Sequence, residues 1–283
     1  MQEQVFTGLS SPQFFFMKRY TIYLAVLMSF LFAGCSKDNA GINIFTIDQD
    51  KQLGQQVKDE IASDPVTYPI LSRTTYANAY AYLEQMKSTI LASGNVTHKD
   101  DFVWELFIIQ DDNIQNAFCT PGGYIYVYTG LIKYLDNATS LAGVLGHEIA
   151  HADKRHTTEA MTKQYGLSTL VSVLLGDNQN QLTDIAQSLV GLTFSRENET
   201  EADKSSVKYL CPTLYRANGA GEFFTKIIAM GGSQVPEFLS THPNPDNRVS
   251  NINTEATSLS CTGGNITPAV DVTGYMGFKA MLP

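Results

Sequence analysis

The stretch Gly146-His147-Glu148-Ile149-Ala150-His151 constrains this chain more than any other. On a helix, the four-residue step from His147 to His151 turns through about 400°, so both imidazoles leave one face a turn apart. Two imidazoles so placed can grip one zinc ion. Glu148, beside the first histidine, is angled away from the ion yet close enough to reach a water next to it, as a general base for hydrolysis must be. The bland alternative is an amphipathic helix whose histidines are polar surface. The flanks speak against it: Leu141, Val144, Leu145, Ile149 and Ala152 recur at helical spacing on a largely apolar body, with Asn137 or Ser140 as N-cap. Such a helix is buried. Its histidines and glutamate then need partners, because unpaired burial costs about 1–3 kcal/mol per group.

A third ligand is expected in Phe194-Ser195-Arg196-Glu197-Asn198-Glu199-Thr200-Glu201-Ala202-Asp203. On a helix Glu199 and Asp203 share a face one turn apart, so the first can ligate zinc while the second hydrogen-bonds a ligand histidine from behind. Alone, a Glu-rich helix start is more often solvated surface. After a His-Glu-x-x-His helix it is more telling, since two histidines, a glutamate and a water make a catalytic zinc shell with an open position. His156 lies five positions past His151, about 500° of rotation, and falls off the metal-facing line. It reads as a capping residue or a neighbour of the ligands.

The 283 residues suffice for one large domain or two small ones, and a net charge of −9 without long acidic runs excludes a nucleic-acid footprint. From Met17, the better start, Lys18-Arg19 forms a positive region and Tyr20 to Ala33 an apolar one, closed by Gly34-Cys35; residues 1–34 read as a secretory signal. An uncleaved anchor is the alternative, disfavoured by the short apolar run. Leu31 to Cys35 resembles a bacterial lipobox, which makes Cys35 the lipidated first mature residue, and Ser36 is compatible with outer-membrane delivery. Residues 35–45 then form a lipid-anchored linker, 46–262 the domain, and 263–283 a C-terminal tail of loose packing or a short strand. With Cys35 lipidated, Cys119, Cys211 and Cys261 permit one disulfide, expected between Cys211 and Cys261; three free thiols are the alternative.

Asp48 to Ile61 and Tyr76 to Leu91 read as scaffold helices. Phe102 to Gln110 and Tyr124 to Tyr128 read as strands of a hairpin-like pair, interrupted by Asn116-Ala117-Phe118-Cys119-Thr120-Pro121-Gly122-Gly123. Pro121 belongs at a sheet edge, and an edge beside a metal helix can take up an extended peptide by backbone pairing. Asn116, Gly123, Tyr124, Ile125 and Tyr126 are the residues expected there. The apolar clusters Leu167 to Leu175 and Leu182 to Phe194 suggest a helical hairpin that packs in the core or lids the cleft.

Taken together, His147-Glu148-x-x-His151, Ser195-Arg196…Glu199-x-x-Ala202-Asp203, Asn116-Ala117-Phe118…Pro121-Gly122-Gly123 and His242-Pro243…Arg248 resemble the zinc metallopeptidases that include HtpX and the CAAX prenyl protease, in their soluble, exported bacterial branch. The resemblance covers roughly residues 46–256. It implies an α+β, mainly helical zincin (gluzincin) fold with a small β-sheet beside the His-Glu-x-x-His helix, one Zn2+ per chain, and Glu199 as third ligand. It also implies that His242 and Arg248 lie at the active cleft. His242 then either donates to the developing oxyanion or occupies zinc's open position in a latent state, and Arg248 either holds its loop or polarises substrate. The expected activity is a zinc endopeptidase of the cell envelope, lipid-anchored in the outer membrane facing the periplasm, acting on polypeptides. The rival expectation is a chaperone-like or latent zinc protein that binds envelope proteins with little cleavage.

Overall fold

The computed structural model describes residues 43–229, 237–242, 247–261 and 264–283. The signal segment, Met17, Cys35, most of the linker and Pro243 to Asp246 lie outside the described residues. Two helices open the fold, α1 (Ile47–Ser63) and α2 (Ala77–Leu91), close to the expected spans. Three strands follow: β1 (Glu105–Ile109), β2 (Ala117–Thr120) and β3 (Tyr124–Tyr128). Then come α3 (Thr129–Tyr134), α4 (Ala138–Asp153), α5 (His156–Tyr165), α6 (Leu167–Leu174), α7 (Gln179–Ser188), α8 (Arg196–Leu210), α9 (Gly219–Ala229), α10 (Phe238–Thr241), α11 (Arg248–Ser258) and α12 (Tyr275–Lys279).

The sheet differs from the expected hairpin. Its order is β1-β3-β2, with β1 parallel to β3 and β2 antiparallel to it. The hairpin is formed by β2 and β3 about Pro121-Gly122-Gly123, where both glycines adopt positive φ, 78° and 89°. A Cβ on Gly122 would stand 2.9 Å from Lys51 Cα, so α1 lies directly against this turn. The strand at the centre is therefore β3, and side-chain alternation divides it between two cores. Ile125 and Val127 face the core built by α2, α4, α8 and α9, whereas Tyr124, Tyr126 and Tyr128 face the one built by α1, α6 and α7. On the second face Tyr126 is stacked between Phe107 and Phe118, at centroid distances of 4.9 and 4.7 Å.

Helix α4 is buried along its whole length. Asn137 starts it, its side chain accepting from Ser140 N–H at 2.7 Å. Two close approaches fix its place. A Cβ on Gly143 would fall 1.9 Å from Ala220 N, so α4 and α9 cross backbone to backbone, and Ser206 Oγ of α8 donates to Gly143 O at 2.9 Å. The helix is thus clamped between α8 and α9 with β2 alongside.

The hairpin of α6 and α7 packs on α1, burying Leu170, Val173, Leu182 and Ile185. Gln52 Nε2 donates to Leu174 O at 2.8 Å, which ties it to α1. The C-terminal segment, expected to be loose or a short strand, is instead helical, a π-helical turn Ala269–Gly274 running into α12. Tyr275 and Phe278 share a face at i, i+3 spacing and are fully buried, and Asp271 accepts from Thr139 N–H at 2.8 Å in the first turn of α4. The segment braces α4. Cys211 and Cys261 form a disulfide with Cα atoms 5.2 Å apart, leaving Cys119 free and buried. Closing a loop of 50 residues contributes roughly 4 kcal/mol by the chain-entropy argument. That loop carries His242 and Arg248. Among the described residues no helix is long and apolar enough to cross a membrane.

Candidate active site

Helix α4 presents His147 and His151 one turn apart, with their Nε2 atoms 3.0 Å from each other. Ser195 caps α8, its Oγ accepting from Asn198 N–H at 3.1 Å, and this start sets Glu199 against the imidazole pair. Glu199 Oε2 lies 3.4 Å from His147 Nε2, and Oε1 lies 3.3 Å from His151 Nε2. His242, at the end of α10, closes the group: its Nδ1 is 3.0 Å from Glu199 Oε1 and 3.3 Å from His147 Nε2. One donor atom from each of the four residues lies within 4.8 Å of all the others.

These separations suit a cation. Donors at about 2.0–2.1 Å from a tetrahedral ion stand about 3.3 Å apart; His147 to His151, Glu199 to each of these, and His242 to His147 and Glu199 are 3.0 to 3.4 Å apart, within a set that spans no more than 4.8 Å. Nitrogen lone pairs and a carboxylate converging at that spacing in a dry interior repel one another unless a positive charge sits among them. The residues fit a metal. Burial pushes His151 well below its ordinary value and also lowers His242, keeping both imidazoles in the neutral form that ligates. For His147 burial acts downward, but the Asp203 and Glu199 carboxylates outweigh it and raise the group to about 9. A metal ion must displace that proton. Glu199 is held well below the usual carboxylate range, because the surrounding imidazoles more than offset its burial.

Behind the ligands, His147 donates from Nδ1 to Asp203 Oδ1 at 2.9 Å. Arg248 clamps the same carboxylate in two-pronged fashion, Nε to Oδ2 at 2.7 Å and Nη2 to Oδ1 at 2.5 Å, with its guanidinium 4.0 Å from the Phe224 ring centre. Burial alone would raise Asp203, but Arg248 and His147 bring it below the ordinary value. Arg248 is 2% exposed and its Nη1 lies 3.0 Å from Glu199 Oε2. The arginine thus stands against Asp203 and Glu199, on the far side of Asp203 from His147.

Glu148 is fully buried, and neither carboxylate oxygen has a hydrogen-bond partner among the described residues. Burial and the charge of Glu199 raise its carboxyl to about 8, against the pull of His147 and Arg248. Its neighbour is His242, whose Nε2 lies 3.5 Å from Glu148 Oε1. The His242 ring thus lies between the carboxylates of Glu199 and Glu148. Two aromatic rings close over the group: Phe194 stacks on His151 at 3.9 Å and Phe238 on His242 at 4.1 Å. Neither phenylalanine stood out as a site residue in the sequence; only the position of Phe194, just before the cap of the Glu199 helix, pointed toward it.

The residues expected to bind substrate are placed differently. Tyr124, Ile125 and Tyr126 lie on β3, paired on both sides and at most 1% exposed. A central strand has no free edge to offer. Gly123 sits in the turn against Trp104, and Asn116 is buried with its Oδ1 accepting from Ala117 N–H at 2.9 Å. Among the described residues, the strand lacking a second neighbour beside α4 is β2. Tyr128 N–H donates to Asn116 O at 3.1 Å, which sets the ladder's phase and turns the backbone groups of Ala117 and Cys119 away from β3. Cys119 O already accepts from the Thr157 hydroxyl at 3.3 Å.

Comparison with known proteins agrees with this geometry. Residues 77–256, more than half of the chain, match peptidase family M48. Mitochondrial metalloendopeptidase OMA1 of Arabidopsis thaliana is 34% identical over 158 residues, covering 56% of this chain and 32% of that protein. Beta-barrel assembly-enhancing protease of Yersinia pestis is 29% identical over 231 residues, and that of Escherichia coli (strain K12) 28%, each covering 76% of this chain and 45% of the relative. The chain thus spans about a third to a half of the length of these relatives. With the matched segment running through every one of the four metal donors, the chain belongs to peptidase family M48.

Proposed function

We propose that this chain is a zinc-dependent endopeptidase of the bacterial cell envelope that hydrolyses misfolded or unassembled envelope proteins. The observation that carries the reading is a buried set of four donors within 4.8 Å of one another, with the carboxylate of Glu148, partnerless among the described residues, beside it. Three imidazoles and one carboxylate suit Zn2+ better than the oxygen-seeking Mg2+ or Ca2+. When bound, the ion supplies Lewis acidity that polarises a scissile carbonyl and brings the pKa of water toward about 7. His147, His151 and Glu199 hold it, while Asp203 and Arg248 keep His147 in the tautomer whose Nε2 is free to ligate. Glu148 takes the proton from the attacking water and passes it to the departing amine. Substrate adds as an extended strand beside β2, whose Ala117 backbone groups face away from β3, once the cover over that buried edge withdraws. The lipobox-like Cys35 and the names of the bacterial relatives support a lipid-tethered place at the outer membrane, facing the periplasm. Purified full-length protein is expected to digest casein, to lose that activity when zinc is stripped by a chelator, and to regain it with added Zn2+. Chelator-resistant digestion contradicts the reading.

A second, closed state is favoured by His242 itself. With Nδ1 among the donors and Nε2 facing Glu148, its ring occupies the space that water and substrate need. Such a resting form binds client polypeptides without cleaving them until α10 withdraws. His242→Ala is then expected to raise casein digestion about tenfold, equivalent to removing a ~1.4 kcal/mol preference for the closed form. A loss of about 10²–10³ with zinc retained would instead make His242 an oxyanion donor.

A further inference from the structure

His156 has no task in the reaction described above, yet it is 2% exposed and its Nδ1 stands 3.1 Å from Nδ1 of His151. Two imidazole nitrogens at that distance share one hydrogen, so one ring donates and the other accepts. The far side of His156 decides which. Its Nε2 lies 3.3 Å from Glu201 Oε2, and an ionised carboxylate can only accept. A His156 ring that carries one proton therefore carries it on Nε2, with its Nδ1 left as the acceptor. His151 must then donate from Nδ1. Its own Nε2, 3.3 Å from Glu199 Oε1, keeps a bare lone pair turned toward the other metal donors. The opposite arrangement would place a hydrogen on His151 Nε2, in the middle of the donor set, and exclude a cation.

We propose that Glu201 and His156 are positioning residues that set the tautomer of His151, through a two-bond chain running from the half-exposed carboxylate of Glu201 to the metal donors. The two ligand histidines are thus prepared by different means. His147 has a carboxylate directly behind it, Asp203, itself clamped by Arg248; His151 has a second imidazole behind it, with the carboxylate one ring further out. In the sequence this is the step from His151 to His156 together with the acid two residues beyond Glu199. The burial of His156 fits the role.

The proposal rests on the metal reading above, and zinc uptake by the wild-type full chain tests that reading separately. The positioning chain is tested by zinc affinity, measured by competition with a chromophoric chelator, beside the melting temperature of the metal-free protein. His156→Phe keeps the ring's bulk and removes the acceptor; it is expected to weaken zinc binding about 10–100-fold. His156→Gln supplies an amide oxygen that accepts from His151 and is expected to stay within a few-fold of wild type. Glu201→Ala, at a half-exposed position that leaves the core intact, is expected to weaken zinc binding without changing the metal-free melting temperature, and Glu201→Gln to recover part of the loss. Nitrogen-15 NMR of the zinc-loaded wild type should find the shared proton on His151 Nδ1. Wild-type zinc affinity in both His156→Phe and Glu201→Ala, equal losses in the phenylalanine and glutamine variants, or a proton on His156 Nδ1 would each overturn the proposal.

Discussion

Replacing Glu148 by Gln is expected to lower casein hydrolysis by about 10²–10⁴-fold while leaving one zinc bound per chain, because the change removes a proton acceptor and nothing else. The amide has the size of the carboxyl it replaces, so the packing of α4 between α8 and α9 is kept. Among the described residues Glu148 also makes no hydrogen bond that the substitution would break. Metal retention follows from the geometry, since the donors are His147, His151, Glu199 and His242, and Glu148 contributes no atom to that set. Burial raises its carboxyl to about 8 in the metal-free site, and a cation among the neighbouring donors draws it back down toward the ionised form that a base needs. The measurement is casein turnover set beside zinc content by elemental analysis. Turnover within a few-fold of wild type would remove Glu148 from the reaction.

Arg248→Ala is expected to be the most destabilising single change at the site, by about 3–5 kcal/mol. It leaves the 4% exposed carboxylate of Asp203 with one partner where it had two, in an interior that cannot solvate it. The guanidinium also loses its seat on Phe224 and its place 3.0 Å from Glu199. A compensated pair separates fold from site. Arg248→Met combined with Asp203→Leu removes both charges together and is expected to recover most of the stability, as buried ion pairs replaced by apolar groups often do. Zinc affinity should remain low in that double variant, because His147 has lost the acceptor that fixes its tautomer. Urea unfolding of the metal-free proteins gives the first quantity and chelator competition the second. A single variant losing under about 1 kcal/mol would show that Arg248 does not hold Asp203 as described.

The site was legible in the sequence wherever spacing alone decides geometry. His147 and His151 at i, i+4, Glu199 and Asp203 at i, i+4, and Asn137 as a cap are local statements about helices, and the structure places each of them accordingly. The sheet order was not legible, because pairing is non-local: nothing within Tyr124 to Tyr128 states that two strands flank it. The four residues of β2 are moreover too few, next to Pro121, to read as a strand. The misplaced substrate edge follows from that one omission. The C-terminal segment was misread for a related reason. Its few apolar residues, Tyr275 and Phe278 among them, look sparse until α2 and α4 are present to receive them. Phe194, Phe238 and the closed placement of His242 depend likewise on contacts between distant segments. The partner of His156, Glu201, is visible only once α4, α5 and α8 are assembled.

X-ray absorption at the zinc edge, on full-length protein purified without added metal, bears most directly on the whole account. One zinc per chain is expected, in a shell of four nitrogen and oxygen atoms at about 2.0–2.1 Å, lost in His147→Ala and Glu199→Ala. A protein that takes up no zinc, a shell containing sulfur at about 2.3 Å, or zinc that survives both substitutions would contradict it.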